Sequence, residues 1–180
     1  MRRLAFAAAG AATLVMCGAA LAQAPAGGPP PGARPMGPPP PPARGPAMDL
    51  ALEAAQTAVQ TCQANGYKVG AVVVDSAGMT RVVLVADGAS SMTADFATRK
   101  AYTANAFKKP SGAVGDQAKT DKALADRIAA DPKMITWAGG QPLTVGGEVI
   151  GALGVGGAPG GDKDDVCTAA GIAKVQSRLR

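Results

Sequence analysis

Apolar positions along the chain change their spacing near residue 66, and this change predicts the first elements. Residues 49–65 carry an alanine-rich stripe at helical spacing, which predicts a helix that ends at Asn65 and Gly66. Residues 68–75 and 79–86 have the pattern of two strands joined by a short turn. Both alternating sets of the first strand are apolar, so we expect it to lie in the centre of a sheet with both faces covered.

Farther along the chain, helical and strand patterns follow in a simple order. The expected elements are a helix at residues 91–107, a weaker and more polar helix within residues 114–130, short strands near residues 134–137, 142–145 and 148–155, and a last helix at residues 164–179. Strands that follow one another without intervening helices favour an antiparallel α+β sheet over a doubly wound parallel one. We therefore predict an α+β fold with a central antiparallel five-stranded sheet flanked by helices.

The helix at residues 91–107 has two opposite stripes. Four alanines form a narrow, flat stripe that suits packing against a sheet. The opposite, bulkier stripe consists of Met92, Phe96, Arg99, Thr103 and Phe107. A helix with apolar residues on both faces is not a simple surface helix. We therefore expect the bulkier stripe to be covered by another subunit, by a ligand or by the neighbouring helix.

Ten of the twenty-seven residues from Gly139 to Asp165 are glycine, a composition that phosphate-binding loops share. The dinucleotide pattern fails because Pro159 stands where its third glycine belongs, and the P-loop pattern fails because Asp162 stands where its lysine belongs. We interpret the glycines as architecture, with a hairpin turn at residues 146–147 and close approach in the following strand. The aspartates after them are expected to cap the last helix, and a calcium site is the alternative.

The N-terminal residues have the features of a secretory signal peptide. Two arginines precede an apolar run at residues 4–16, and small residues then form a cleavage site, so residues 1–22 are predicted to be removed on export. A lipoprotein signal that uses Cys17 and an uncleaved anchor are the alternatives. Residues 23–46 are predicted to be a disordered proline-rich linker, because eleven of the fifteen prolines lie there. The folded domain is expected at residues 47–180, periplasmic or secreted, with no transmembrane segment after cleavage.

Charge and cysteine content narrow the choice of partners. The whole chain has a net charge of +5, but residues 47–180 hold 14 basic and 13 acidic residues without a basic stripe. Nucleic acid is therefore not an expected partner. Two cysteines remain after signal cleavage, Cys62 and Cys167. An even pair in an oxidising compartment favours a disulfide, and two buried thiols are the alternative.

Three segments of the chain together resemble a known family. They are VVVDSAGMTRVVLVADGA, ATRKAYTANAFKKP and GGQPLTVGGEVIGALGVGGAPGGDKDDVCTAAGI, and the match extends over nearly all of residues 50–174 in order. In these segments the chain is similar to the GlcG/HbpS family of haem-binding, or haem-degrading, domains. The resemblance implies a profilin-like sandwich, assembly into symmetric homo-oligomers, and binding of haem or a related tetrapyrrole.

The resemblance makes the bulkier stripe of the helix at residues 91–107 a candidate haem site. Its apolar side chains would contact the porphyrin, Arg99 would pair with a propionate, and Thr103 would form a hydrogen bond. Lys100 lies beside the stripe and is expected either to contact a second anion or to be solvated. The candidate cofactor-binding residues are Met92, Phe96, Arg99, Lys100, Thr103 and Phe107. An oligomer interface is the alternative interpretation of the same stripe.

Iron ligation needs a residue other than histidine, because the chain contains none. The contact would come from a tyrosine, a methionine, a lysine or a hydroxyl group, or the porphyrin would be held without strong ligation. Tyr102 has the best side chain for this role, and simple packing with a satisfied hydroxyl is the alternative. Trp137 is expected either to pack in the core or to close the wall of a pocket.

The favoured function is that of an exported haem- or tetrapyrrole-binding protein that forms homo-oligomers and acts as a carrier, buffer or sensor. One alternative is an enzyme that degrades haem or acts on a small acid. The sequence has no histidine base and no serine in a nucleophile-elbow pattern, so no catalytic residue is assigned. The other alternative is an oligomeric module that binds a corrinoid or a small carboxylate.

Overall fold

The computed structural model describes residues 42–180, which form five α-helices and one sheet of four strands. The helices are α1 (Met48–Ala64), α2 (Thr93–Phe107), α3 (Ser111–Ala118), α4 (Lys122–Ala130) and α5 (Gly161–Val175). The strands are β1 (Gly70–Asp75), β2 (Thr80–Val85), β3 (Gly140–Val145) and β4 (Glu148–Gly156). A 3-10 turn at Gln176–Arg178 follows α5. None of the described helices is long and apolar enough to cross a membrane.

The sheet is antiparallel throughout, in the order β2-β1-β4-β3, and this confirms the α+β class. All of β1 is buried, as predicted for a central strand. The prediction of a fifth strand is wrong, because residues 134–137 form a loop whose backbone bonds to side chains of α2. The amide of Ile135 donates to Thr103 Oγ1 at 3.0 Å, and the carbonyl of Met134 accepts from Arg99 at 3.0 Å. These bonds replace the pairing that a strand would make.

Helices cover both faces of the sheet. On one face, α1 packs on β1 and β2, and α5 packs on β4 and β3, within the larger core cluster. On the other face, Val72 and Val74 of β1 contact the alanine stripe of α2. Gly154 of β4 allows α2 to come this close, since a Cβ atom there would lie 2.1 Å from the carbonyl oxygen of Ala97. The predicted alanine stripe and the predicted role of this glycine are therefore confirmed, while the profilin-like label stays a prediction.

A disulfide joins Cys62 of α1 to Cys167 of α5, with their Cα atoms 5.5 Å apart. Both cysteines are buried in the larger core cluster. The predicted pairing is confirmed, and it connects two helices of the same layer over a sequence separation of 105 residues.

Several element boundaries differ from the expected ones. The weak helix predicted within residues 114–130 is two helices, because Asp121 begins α4 by accepting a hydrogen bond from the amide of Leu124 at 3.0 Å. Residues 42–46 of the predicted linker contact the domain, where the carbonyl of Arg44 accepts from the amide of Ser76 at 2.8 Å. The predicted signal peptide and the rest of that linker lie outside the described residues.

Candidate functional site

Residues 131–139, the cover loop, lie over the middle of the bulkier stripe of α2. Thr103 is completely buried beneath this loop, and its hydroxyl accepts the amide of Ile135. The loop is fixed at its other end by Ser111, whose Oγ donates to the carbonyl of Trp137 at 2.6 Å. The middle of the stripe is thus covered by a loop of its own chain, which was not among the three expected coverings, while its Phe107 end is covered by the neighbouring helix α4 through Arg127.

A cleft of about 510 Å³, the tyrosine cleft, lies between α2, the β1–β2 turn and the start of the cover loop. The lining residues that matter here are Val74, Met79, Arg99, Tyr102, Pro132 and Lys133. The lining combines an apolar surface with two cationic side chains, one phenol and the carboxylate of Asp95, which lies 3.7 Å from Arg99. This composition suits a ligand with a large apolar body and acidic groups.

Arg99 has an unused hydrogen-bond donor in the tyrosine cleft. One terminal nitrogen donates to the carbonyl of Met134 at 3.0 Å, and the other lies 3.7 Å from the carboxylate of Asp95. Its Nε is buried and has no hydrogen-bond partner among residues 42–180. A buried donor without an acceptor costs about 1–3 kcal/mol. Because this Nε has no accessible surface, a ligand in the cleft would contact Arg99 through a terminal nitrogen of its part-exposed side chain, and such a contact fits the role predicted for it.

Tyr102 lines the same cleft and donates its hydroxyl to Asp131 Oδ2 at 3.1 Å. This hydrogen bond, with a smaller contribution from desolvation, raises the pKa of the Tyr102 phenol above its usual value. The side chain is therefore a satisfied, neutral phenol at ordinary pH. This is the packing alternative of the sequence analysis, and it disfavours the phenolate that binds iron strongly.

A second cleft of about 370 Å³, the lysine cleft, lies on the other side of α2. The rings of Phe96 and Trp137 form one wall, with centroids 5.5 Å apart and planes tilted by 58°. Glycines 157, 160 and 161 also line the cleft, so part of its surface is backbone. Trp137 is 58% exposed, which makes it a pocket wall and not a core residue.

Lys100 and Asp164 form a buried ion pair that lines the lysine cleft. The ammonium Nζ lies 2.5 Å from Asp164 Oδ2, and the two side chains are only 2% and 3% exposed. The expectation of a solvated lysine is therefore wrong. Burial raises the pKa of the Asp164 carboxyl, and the hydrogen bond and charge of Lys100 act against this rise.

The six predicted site residues do not form one site. Phe96 and Lys100 line the lysine cleft, and Arg99 lines the tyrosine cleft. Thr103 lies beneath the cover loop, and the remaining two, Met92 and Phe107, line neither cleft. Met92 is exposed, while the guanidinium of Arg127 lies 4.9 Å above the ring of Phe107.

The sequence analysis missed Asp164 of the lysine cleft and also Met79 and Lys133 of the tyrosine cleft. Asp164 was interpreted as a cap of the last helix, but the structure directs its carboxylate to Lys100 and to the amide of Ala158 at 3.0 Å. Its neighbour Asp165 accepts from the amide of Gly139 at 2.8 Å. These contacts disfavour the alternative calcium site, and within the described part of the chain no group of three potential metal ligands occurs.

Comparison with known proteins places this domain in a family. A family model described as a haem degrading protein, HbpS-like, matches residues 47–173, which include both clefts and the disulfide. The chain belongs to the HbpS-like family. The match confirms the resemblance seen in the three sequence segments. No curated protein matches the chain.

Solved structures show the same HbpS-like domain. A double mutant of HbpS from Streptomyces reticuli is 35% identical, with a TM-score of 0.66 over 72% of this chain and 86% of that one. The PduOC:heme complex is 26% identical, with a TM-score of 0.66 over 71% of this chain and 92% of that one. The Klebsiella pneumoniae protein ORFY is 22% identical, with a TM-score of 0.69 over 77% and 94%, and supports the fold alone.

Proposed function

We propose that this HbpS-like protein binds haem or a related tetrapyrrole, is exported, and acts as a homo-oligomeric carrier, buffer or sensor. The observation that carries the proposal is the family match over residues 47–173. The similarity to PduOC, solved as a heme complex, supports the same class of ligand. The proposal does not require a catalytic residue of the protein.

We assign the haem to the tyrosine cleft, which is the larger of the two clefts on α2. Its apolar surface would contact the porphyrin. Arg99 and Lys133 provide two cations for two propionates. The residues present therefore fit the group, with Arg99 in the role that the sequence predicted.

Iron contact would be weak in this cleft. Tyr102 is held as a neutral phenol by Asp131, and Met79 is the other side chain of the lining with a suitable donor atom. A thioether and a neutral phenol are weaker ligands than imidazole or thiolate. Haem would supply its own iron chemistry, while the protein binds and orients the macrocycle. Weak ligation suits a carrier or buffer that must release its ligand.

Export is supported by the disulfide as well as by the predicted signal peptide. A bond between two buried cysteines persists in an oxidising compartment such as the periplasm. The intact mass of protein isolated from the cell envelope tests this part of the proposal. A chain that begins at Gln23 with two fewer hydrogens than the dithiol form is expected, and a full-length chain with free thiols would contradict it.

Oligomerisation is supported by an exposed apolar face of β2. Val83 and Val85 are each 49% exposed, and Val83 pairs with Val72 on the side of the sheet that α2 covers. Since β2 is an edge strand, bare valines there would promote association, and a second copy would cover them. Native mass spectrometry should detect an oligomer that Val83→Lys weakens. A monomer in the unchanged protein would refute this part.

Hemin titration followed at the Soret band tests the ligand. We expect a saturable spectrum with defined stoichiometry, weaker binding in Lys133→Ala, and unchanged binding in Lys119→Ala, whose side chain is exposed and far from the cleft lining. A spectrum equal to that of hemin with denatured protein would refute haem binding.

The description of the family as haem degrading favours one second candidate, oxidative breakdown of haem. The bound porphyrin and an external reductant with oxygen would supply that chemistry, and the protein would supply the site. Release of biliverdin or iron above a hemin-only blank would support it. Turnover no faster than the blank would leave binding as the function.

A further inference from the structure

The buried Lys100–Asp164 pair leaves hydrogen-bonding capacity unused. Asp164 employs both oxygens, because Oδ2 accepts from Lys100 at 2.5 Å and Oδ1 accepts from the amide of Ala158 at 3.0 Å. An ammonium group has three donors, and across residues 42–180 Asp164 is the one acceptor that Lys100 contacts. At 2% exposure, the other donors of Lys100 have little access to bulk water. An acceptor inside the lysine cleft would satisfy them.

Helix α5 begins at the same cleft and adds a second source of positive potential. Its N-cap is Gly160, which provides no side-chain hydrogen bond, and Gly160 and Gly161 both line the cleft. The first amides of a helix carry the positive end of its dipole. In α5 the amide of Lys163 donates to the carbonyl of Gly160 at 3.2 Å, whereas the amides of Gly161 and Asp162 have no acceptor among residues 42–180. Asp164 does not cap them, since its carboxylate is already committed to Lys100 and Ala158.

The nearby aspartates do not cancel this potential. Asp165 is engaged by the amide of Gly139 at 2.8 Å and by the side chain of Gln141 at 3.2 Å. Asp162 lies at this helix end, since a Cβ atom on Gly160 would be 2.5 Å from its Oδ1. Its side chain is 79% exposed to water and lies 3.7 Å from the ammonium of Lys163, so water and Lys163 screen this carboxylate.

The wall of the cleft defines the shape of its ligand. Phe96 and Trp137 present tilted aromatic rings, and glycine backbone also lines the cleft. The volume of about 370 Å³ is at the lower end of the range for small-molecule sites. A flat, mainly apolar molecule fits this space, and a large macrocycle does not.

We propose that the lysine cleft is a second ligand site that binds a small carboxylate with a flat, apolar body. The carboxylate oxygens accept hydrogen bonds from Lys100 and from the first amides of α5. The apolar body lies against Phe96 and Trp137. This site is separate from the tyrosine cleft and does not depend on haem binding there.

Benzoate is a suitable probe, with benzamide as its uncharged analogue of the same shape. Calorimetry of the full chain gives the affinity, and the fluorescence of Trp137, the only tryptophan, reports on the wall of the cleft. We expect saturable benzoate binding, at least about tenfold weaker binding of benzamide, and a saturable change in Trp137 emission. Equal affinity for the two probes, or no saturable binding of benzoate, would overturn the proposal.

Variants separate the proposed contacts from effects on folding. Lys100→Met should abolish benzoate binding, and the matched control Lys122→Met, at an exposed lysine, should not change it. Should Lys100→Met fail to fold by circular dichroism, Phe96→Ala tests the partly exposed aromatic wall instead and should weaken binding by roughly tenfold. Benzoate affinity that is unchanged in Phe96→Ala would contradict the assigned site.

Hemin distinguishes this inference from the proposed function. Benzoate should bind with the same affinity in the presence of saturating hemin, because the two clefts lie on different sides of α2. Competition between them would overturn the separate site. If hemin does not bind at all, haem binding fails while the benzoate and benzamide affinities still decide this proposal.

Discussion

The buried Lys100–Asp164 pair allows a quantitative prediction for Asp164→Asn. This change keeps the side-chain shape but leaves the ammonium of Lys100, at 2% exposure, without its carboxylate. Breaking a buried pair costs roughly 3–5 kcal/mol. Since the pair borders a cleft, we expect Asp164→Asn to lower the free energy of unfolding by about 3 kcal/mol, the lower end of this range.

Urea unfolding at pH 7 measures this loss as a change in the free energy of unfolding. The control is Asp126→Asn, which breaks the exposed Lys122–Asp126 pair, 2.8 Å apart, and should cost less than about 1 kcal/mol.

The double variant Lys100→Met with Asp164→Leu completes the test, since it replaces both charges by apolar groups. It should be more stable than Asp164→Asn, because no charge is left unpaired. The reasoning would be refuted if Asp164→Asn lost no more stability than Asp126→Asn. It would also be refuted if the losses of Lys100→Met and Asp164→Leu simply added in the double variant.

Three further predictions concern stability. Replacing Cys62 and Cys167 by alanine should lower the free energy of unfolding by about 4–5 kcal/mol in urea, because the bond spans 105 residues; a loss below 1 kcal/mol would contradict this. Gly154→Ala should lower the free energy of unfolding by roughly 1–3 kcal/mol or more, since its Cβ would lie 2.1 Å from the carbonyl oxygen of Ala97. An unchanged melting temperature would show that α2 does not pack there. Because burial raises the pKa of Asp164, the folded state takes up this proton before the unfolded state does as the pH falls towards 3.8. The stability advantage of the unchanged protein over Asp164→Asn should therefore grow in that range, and a constant difference would contradict the direction of the shift.

The layers of the fold were predictable because they depend on the spacing of side chains. Apolar residues on both alternating sets of β1 indicated a strand covered on both faces, and the alanine stripe of α2 indicated the side that packs on the sheet. Both inferences need only the period of a helix or a strand. The same spacing predicted the order of the elements in the second half of the chain, apart from the strand at residues 134–137.

The site was less predictable because periodicity gives the direction of a side chain but not what lies above it. Arg99 and Thr103 were correctly placed on the outer stripe, yet the cover loop that contacts them was predicted to be a strand. Likewise, Lys100 and Asp164 are 64 residues apart, and no local pattern indicated that they meet in the interior. Asp164 had the sequence features of a helix cap, which concealed its role.

The disulfide affects the two clefts unequally. Cys167 belongs to α5, and the first turn of that helix borders the lysine cleft, whereas the tyrosine cleft is built without any residue of α5. Reductive cleavage would therefore loosen one ligand site through its own helix and spare the other. The oxidation state of the two cysteines and the binding of a small carboxylate would then be coupled in the lysine cleft. The domain would respond both to redox conditions and to the concentration of that ligand.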